Sequence, residues 1–194
     1  MVTGLRQRKK AKARRDLERS ALRLFGKKGF AATTVEEIAG AVELSPRTFF
    51  RYFSSKEDVV FASANEELDS LVEALGAVPE GLTPYQALQS AALAFARELE
   101  ARQDDMRVRF RLIRLNPILR SKARETAAAW AATMASCLAQ RQGRQEATEV
   151  EELLALVVVS ALWSALESWG DSADGDRLAE RVKALVEDCR AALT

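Results

Sequence analysis

The chain has 194 residues, with 29 Lys+Arg against 28 Asp+Glu and a formal net charge of +1. It contains no His, which removes the commonest general base and the commonest metal ligand, so no catalytic residue, metal site or cofactor is expected. Cys137 and Cys189 stand far apart without a Cys-x-x-Cys, which argues against a zinc knuckle or a disulfide framework and suits a reducing, cytoplasmic setting.

The near-neutral sum hides an asymmetry. Residues 1–56 hold 14 basic and 5 acidic side chains, a net of +9, whereas residues 57–194 hold 15 and 23, a net of −8. A basic head joined to an acidic body is a hint of contact with nucleic acid or a membrane surface. The first ten residues are polar and basic with no apolar h-region, so no signal peptide is expected. The longest charge-free apolar stretch, Leu153 to Leu166, is 14 residues. That is short of the roughly 18 that suggest a membrane span, so no membrane partner is expected.

In chain order the signals are helical throughout. There are 34 Ala, the best helix former, and no convincing alternation of β-branched and polar residues. Leu17, Ala21, Leu24 and Phe25 form a first stripe that stops at Gly29. Thr34-Val-Glu-Glu37 is a capping box for a short second helix, and Ser45-Pro46 is an N-cap with Pro at N1 for a third. Ser54-Ser-Lys-Glu57 reads as another box, opening a fourth helix that runs to about Gly76. Thr83-Pro84 opens a fifth, Met106 to Leu115 forms a sixth, and Asn116-Pro117 starts a seventh. The eighth spans about Thr148 to Trp169 and the ninth begins near Asp174. An all-α protein of about nine helices is expected, with residues 1–53 as a basic arm and three-helix domain and residues 54–194 as a second domain, 54–76 being a linking helix.

The second and third helices are joined by only a few residues around Glu43, the pattern of a helix-turn-helix. In that motif the second helix enters the major groove. Phe49 and Phe53 are four apart and should pack inward, leaving Arg47, Thr48, Phe50, Arg51 and Tyr52 for phosphates and base edges. Arg6, Arg8, Lys9, Lys10, Lys12, Arg14 and Arg15 precede them as a flexible basic arm suited to phosphates or an adjacent minor groove.

Thr33-Thr34-Val-Glu-Glu-Ile-Ala39, Leu44-Ser-Pro-Arg-Thr-Phe-Phe-Arg-Tyr-Phe53 and Ser55-Lys-Glu-Asp58 together resemble the DNA-binding domain of TetR-family transcriptional regulators. The resemblance covers roughly residues 10–60 and implies that Arg47, Thr48, Phe50, Arg51 and Tyr52 contact DNA, with Thr33 or Thr34, and Lys56, on phosphates at the edges. Members often carry Gly where this chain has Glu43 and Tyr where it has Phe50. The family also implies a C-terminal regulatory domain whose last two helices pair with a second subunit. The eighth helix is apolar nearly all round and must be covered on every side, which fits; Leu156, Val159, Trp163, Leu178, Val182 and Leu185 are the expected interface.

A ligand pocket is sought among Phe95, Met106, Phe110, Trp130, Met134 and Trp163, residues that serve equally as simple core. Arg107, Arg111 and Arg114 fall on one solvated side of the sixth helix, but Arg109 falls inside the apolar arc. It needs either an internal acid, such as Glu98, Glu125 or Glu167, or an anionic group of a ligand. From about Leu88 the chain is also similar to the mycofactocin-type subset with an acyl-CoA-like ligand-binding domain, on Arg107–Arg114 followed by Asn116-Pro-Ile-Leu119.

The expectation is a homodimeric, ligand-responsive repressor on a palindromic double-stranded operator, released by a small-molecule effector of apolar or acyl-CoA-like character. Two other classes compete. One is an architectural or adaptor helix-turn-helix dimer with no effector. The other is an enzyme acting on an acyl thioester, which the absence of His and of a Gly-rich phosphate loop opposes.

Overall fold

In the computed structural model, which describes residues 2–101, 103–172 and 176–192, the described residues form ten α-helices and no strand. They are α1 (Val2–Lys28), α2 (Val35–Gly40), α3 (Pro46–Phe50), α4 (Lys56–Val60), α5 (Ala64–Gly76), α6 (Pro84–Glu100), α7 (Gln103–Leu115), α8 (Pro117–Arg141), α9 (Glu149–Trp169) and α10 (Leu178–Ala192). Asp174, where the last helix was expected to begin, lies outside the described residues, and α10 begins at Leu178. None of these helices is long and apolar enough to cross a membrane.

The chain divides into two compact units, residues 1–63 and 64–194. The expected linking helix over 54–76 is therefore two helices, and the head ends ten residues later than Phe53. Its cap also moves by one residue: Ser55, not Ser54, is the N-cap of α4, with Asp58 closing the box. The break is held by tertiary contacts with α1. Val59 and Val60 are fully buried, and α4 packs on α1. The Ala62 carbonyl, which a continuous helix would offer to residue 66, accepts instead from the Arg14 guanidinium. Ser63 Oγ donates to Glu18 Oε1 at 3.2 Å, so α1 holds both residues of the kink. Periodicity sees apolar residues on either side of such a kink and reads through it.

The head core is Leu17, Ala21, Leu22 and Phe25 of α1 against Ile38, Ala39, Phe49, Phe53, Val59 and Val60. In the second unit α9 is the central helix, packed against α6, α7, α8 and α10. Its near-continuous apolar run follows from that position, since a helix covered on several sides has no polar face to show. Of Arg107, Arg111 and Arg114, expected on a solvated face, Arg111 and Arg114 are exposed and Arg107 is half-buried, and all three also gather the turn after α9. Arg107 Nη1 donates to the Ser172 carbonyl at 2.7 Å with its guanidinium over the Trp169 ring, and Arg111 and Arg114 both pair with Asp171. The approach is tight because Gly170 has no side chain: a Cβ there would lie 2.7 Å from the Arg111 nitrogen.

Candidate functional site

The helix-turn-helix is built from caps. Thr34 accepts from the Glu37 N–H while Glu37 accepts from the Thr34 N–H, and Ser45 accepts from the Thr48 N–H ahead of Pro46. A hydrogen bond from Lys28 holds the Glu37 carboxyl below its ordinary range. The turn between α2 and α3 closes when the Leu44 N–H donates to the Ala39 carbonyl at 2.9 Å, which places Glu43 at φ 57°. That is the left-handed region where a side chain is disfavoured, so the absent turn glycine leaves local strain.

α3 ends at Phe50, three residues before the expected Phe53, with Arg51 as its C-cap; Phe49 on it and Phe53 just beyond are buried and packed ring against ring at 5.5 Å. Arg47, Phe50 and Arg51 are exposed together, and Thr48 and Tyr52 are half-buried beside them. Phe50, 55% exposed, leans its edge on Phe49. The Arg51 guanidinium lies 5.3 Å from the centre of the Tyr52 ring, which limits its freedom before any contact is made. Thr34 is exposed.

Two expected edge contacts face the wrong way. Thr33 is 1% exposed and its hydroxyl donates to the Gly29 carbonyl at 2.8 Å, so it closes the α1–α2 loop and does not present itself to a phosphate. Lys56 donates to the carbonyls of Phe30 at 2.9 Å, Thr33 at 3.1 Å and Ala31 at 3.5 Å, over the Phe30 ring. Two of the three N–H donors of the Lys56 ammonium are thus engaged in short bonds to the loop, and its charge remains on this face.

The basic arm, expected as a flexible segment, is part of a helix: α1 runs unbroken from Val2. Lys and Arg are good helix formers, and no Pro interrupts the segment. Arg8, Lys9, Lys10, Lys12 and Arg15 are exposed on it, while Arg14 turns inward over the Phe53 ring. The side chain of Arg6 lies outside the described residues.

In the second unit the residues sought as a pocket come together as a packed chain of rings. Phe95 meets Trp130, Trp130 meets Trp163 and Trp163 meets Phe110, with centroids 5.9, 5.6 and 5.7 Å apart in edge-on arrangements. Met106 and Met134 are buried as well. The Trp163 Nε1 is buried without an acceptor among the described residues. Arg109 pairs with Glu67 of α5, none of the three acids proposed from sequence, and the two side chains are 2% and 3% exposed.

The expected dimer residues are mostly interior. Val159, Trp163, Leu178 and Val182 are buried within their own unit and Leu185 is half-buried, because α10 packs its apolar stripe on α9 and α6. Only Leu156 of that set is exposed; Val150 and Leu153 are the exposed apolar neighbours the sequence reading missed. A helix apolar all round does not reveal which side meets its own domain.

Comparison with known proteins agrees with this geometry. Residues 19–62 match the family described as bacterial regulatory proteins, tetR family, and residues 82–194 match the MftR C-terminal domain. TcmR of Streptomyces glaucescens, an HTH-type transcriptional regulator, is 48% identical over 88 residues, 45% of this chain and 39% of its own length. The chain thus spans under half of that curated relative in the match. A Mycobacterium tuberculosis protein named as a mycofactocin biosynthesis transcriptional regulator, MftR, is 29% identical over 149 residues, 77% of this chain and 75% of that one. Thermus thermophilus FadR, a TetR-family repressor crystallised with lauroyl-CoA, has the same fold: the TM-score is 0.60 at 24% identity, over 90% of this chain and 91% of that one. With its N-terminal match and a C-terminal match that spans more than half of its length, the chain belongs to the tetR family of bacterial regulatory proteins, transcriptional regulators and not enzymes, and has a C-terminal domain of the MftR type.

Proposed function

We propose that this chain is a transcriptional repressor that binds a palindromic operator as a homodimer and leaves it when a small molecule enters the second unit. The observation that carries the reading is the outward set of α3: Arg47, Phe50 and Arg51 exposed side by side on a helix fixed from within by Phe49 and Phe53. Two guanidiniums supply the bidentate donors that guanine edges and phosphates accept, and a rigid base keeps them in register. Thr34, Thr48 and Tyr52 add hydroxyls at the margin, and the exposed cations of the helical arm add phosphate contacts along its length.

The second copy is best placed on the exposed stripe of α9, where Leu153, Leu156, Ser160 and Ser164 lie on one side, with Leu185 of α10 at its margin. Reading successive half-sites of a palindrome requires the two α3 helices to lie about 34–36 Å apart, one turn of B-DNA. An effector of the acyl-CoA class is supported by the MftR-type domain and by the ligand that FadR was crystallised with.

The test is selection of duplexes from a random pool by the purified chain, repeated with Arg47→Ala and Arg51→Ala. Each substitution should weaken binding to the selected duplex roughly 10- to 100-fold and relax its sequence preference. Unchanged preference in both variants would mean that another surface reads the operator.

A further inference from the structure

A line of cations runs down one side of α1 well beyond the arm. Arg8, Lys12, Arg15, Arg19, Arg23 and Lys27 follow one another at intervals of three or four residues, the spacing that stacks side chains on one helix face. All six are exposed, and none makes a hydrogen bond or ion pair among the described residues. Two acids occur on α1. Glu18 turns inward to Ser63, and Asp16 borders the line in a groove with Arg19, Arg23 and Glu43, without an ion pair to either arginine. The next cation, Lys28, does pair, with Glu37. Four like-charged neighbours at i, i+4 (8–12, 15–19, 19–23 and 23–27) oppose the helix that carries them, so the line adds nothing to the fold.

Its direction separates it from the reading helix. Arg15, Arg19 and Arg23 each stand two residues before Leu17, Ala21 and Phe25 of the core, which puts them on the opposite side of α1. The outward residues of α3 likewise point away from Phe49 and Phe53 of that same core, and α3 packs on α2 whereas α1 packs on α2 and α4. The two outward faces therefore leave the head in different directions. From Arg8 to Lys27 the line is about 28 Å long, the length of about eight base pairs of duplex. No large apolar side chain is exposed on α1 from Gln7 to Lys28. A membrane-bound helix needs an apolar face beside its cations, and a protein interface needs an apolar centre, so what this face matches is a bare polyanion.

We infer that the α1 line, through Arg19, Arg23 and Lys27, is a second DNA-binding surface that takes the phosphates of a stretch of duplex other than the one α3 reads. It rests on the repressor reading for the first duplex only. The second stretch is either the flank of the same molecule, bent round the head, or a separate duplex.

The test compares the full chain with Arg19→Gln/Arg23→Gln/Lys27→Gln. The selected duplex is cut to its shortest tight-binding form or carries about 15 bp of unrelated sequence on each side. In wild type the flanks should raise affinity roughly tenfold at low salt and steepen log affinity against log salt by about 2–3 per head. The triple variant should lose that gain and keep its affinity for the short duplex. Arg19→Lys/Arg23→Lys, which keeps the charge, should behave as wild type. If the source is a separate duplex, an unrelated short duplex should join the wild-type complex but not the variant's. Absence of both the flank gain and the joined complex in wild type would overturn the second surface. Equal loss on the short and the flanked duplex would overturn it too, because the line would then belong to the first contact. Weaker binding of the variant to phosphatidylglycerol vesicles, with every DNA affinity unmoved, would assign the line to lipid instead. A wild-type chain that selects no duplex would sink the repressor reading. The triple variant would then still have to bind a long random duplex with a slope lower by about 2–3, and an unchanged slope would overturn the α1 surface by itself.

Discussion

The two units use their cations in opposite ways. In the head most basic side chains stand exposed, among them Arg8, Lys9, Lys10, Lys12, Arg15, Arg47 and Arg51; Arg14 and Lys56 are directed to backbone carbonyls. In the second unit several arginines are instead engaged within the unit: Arg107 and Arg141 on carbonyls, Arg109 on Glu67, Arg111 and Arg114 on Asp171, Arg144 on Glu151, while Arg97, Arg120 and Arg124 are exposed. A high local count of Arg therefore means different things in the two places. Around Arg8–Lys12 it is charge offered to a polyanion, and around Arg107–Arg114 it is the means by which an acidic, Ala-rich bundle ties its loops down.

The largest effect should come from testing how closely the two units are packed at their glycines. Gly170→Ala puts a Cβ 2.7 Å from the Arg111 backbone nitrogen and should cost about 1–3 kcal/mol in urea unfolding. Gly40→Ala, at a head position with nothing within 4 Å, should instead gain roughly 0.5–1 kcal/mol. Equal effects at both sites would mean that the α7–α9 contact yields easily.

A second difference lies in two capping boxes of the same design, each with its N3 Glu paired to a cation. Glu151 is buried and held below its ordinary value of 4.5, by Arg144 foremost and then by Thr148. Because its folded value is lowered, its contribution is complete above 4.5 and is lost as pH falls through the folded value. Glu151→Gln should cost about 1 kcal/mol at pH 7, and the gap from wild type should close on acidification. The Lys28–Glu37 pair in the head is exposed, so added salt should weaken it more than Arg144–Glu151.

The smallest effect separates two helix ends with the same closing bond. At α8, Arg144 N–H donates to Ala139 and the left-handed residue is Gly143, at φ 70°; at α2, Leu44 N–H donates to Ala39 and that residue is Glu43. Glu43→Gly should stabilise the head by about 0.5–1 kcal/mol, and Gly143→Ala should destabilise the second unit by at least as much. Calorimetry of both variants would show whether the strain at Glu43 is real, since only a relieved turn raises the head's unfolding temperature.

What could be read from sequence follows the range of each interaction. The caps at Thr34, Ser45, Thr83, Asn116 and Thr148 were legible because each is completed within three residues. The inward Phe49 and Phe53 were legible from helical spacing. The kink at Phe61–Ser63 was not, because Arg14 and Glu18 that hold it are more than forty residues away in the chain. Glu67 escaped notice as the Arg109 partner for the same reason, at a separation of 42 residues. Thr33 and Lys56 sit in the motif's edge positions, but only the folded loop reveals that Gly29, Phe30 and Thr33 carbonyls already occupy their donors.

The central claim is that the head's exposed cations serve phosphates while the arginines around α7 serve contacts within the second unit. Its most direct test is the salt dependence of affinity for the selected duplex. Replacing Arg8, Lys9, Lys10 and Lys12 together by Ala should flatten the slope of log affinity against log salt by about 3–4. Replacing the paired Arg111, Arg114 and Arg144 together should leave that slope unchanged. Equal flattening by both sets, or none by the first, would contradict the account.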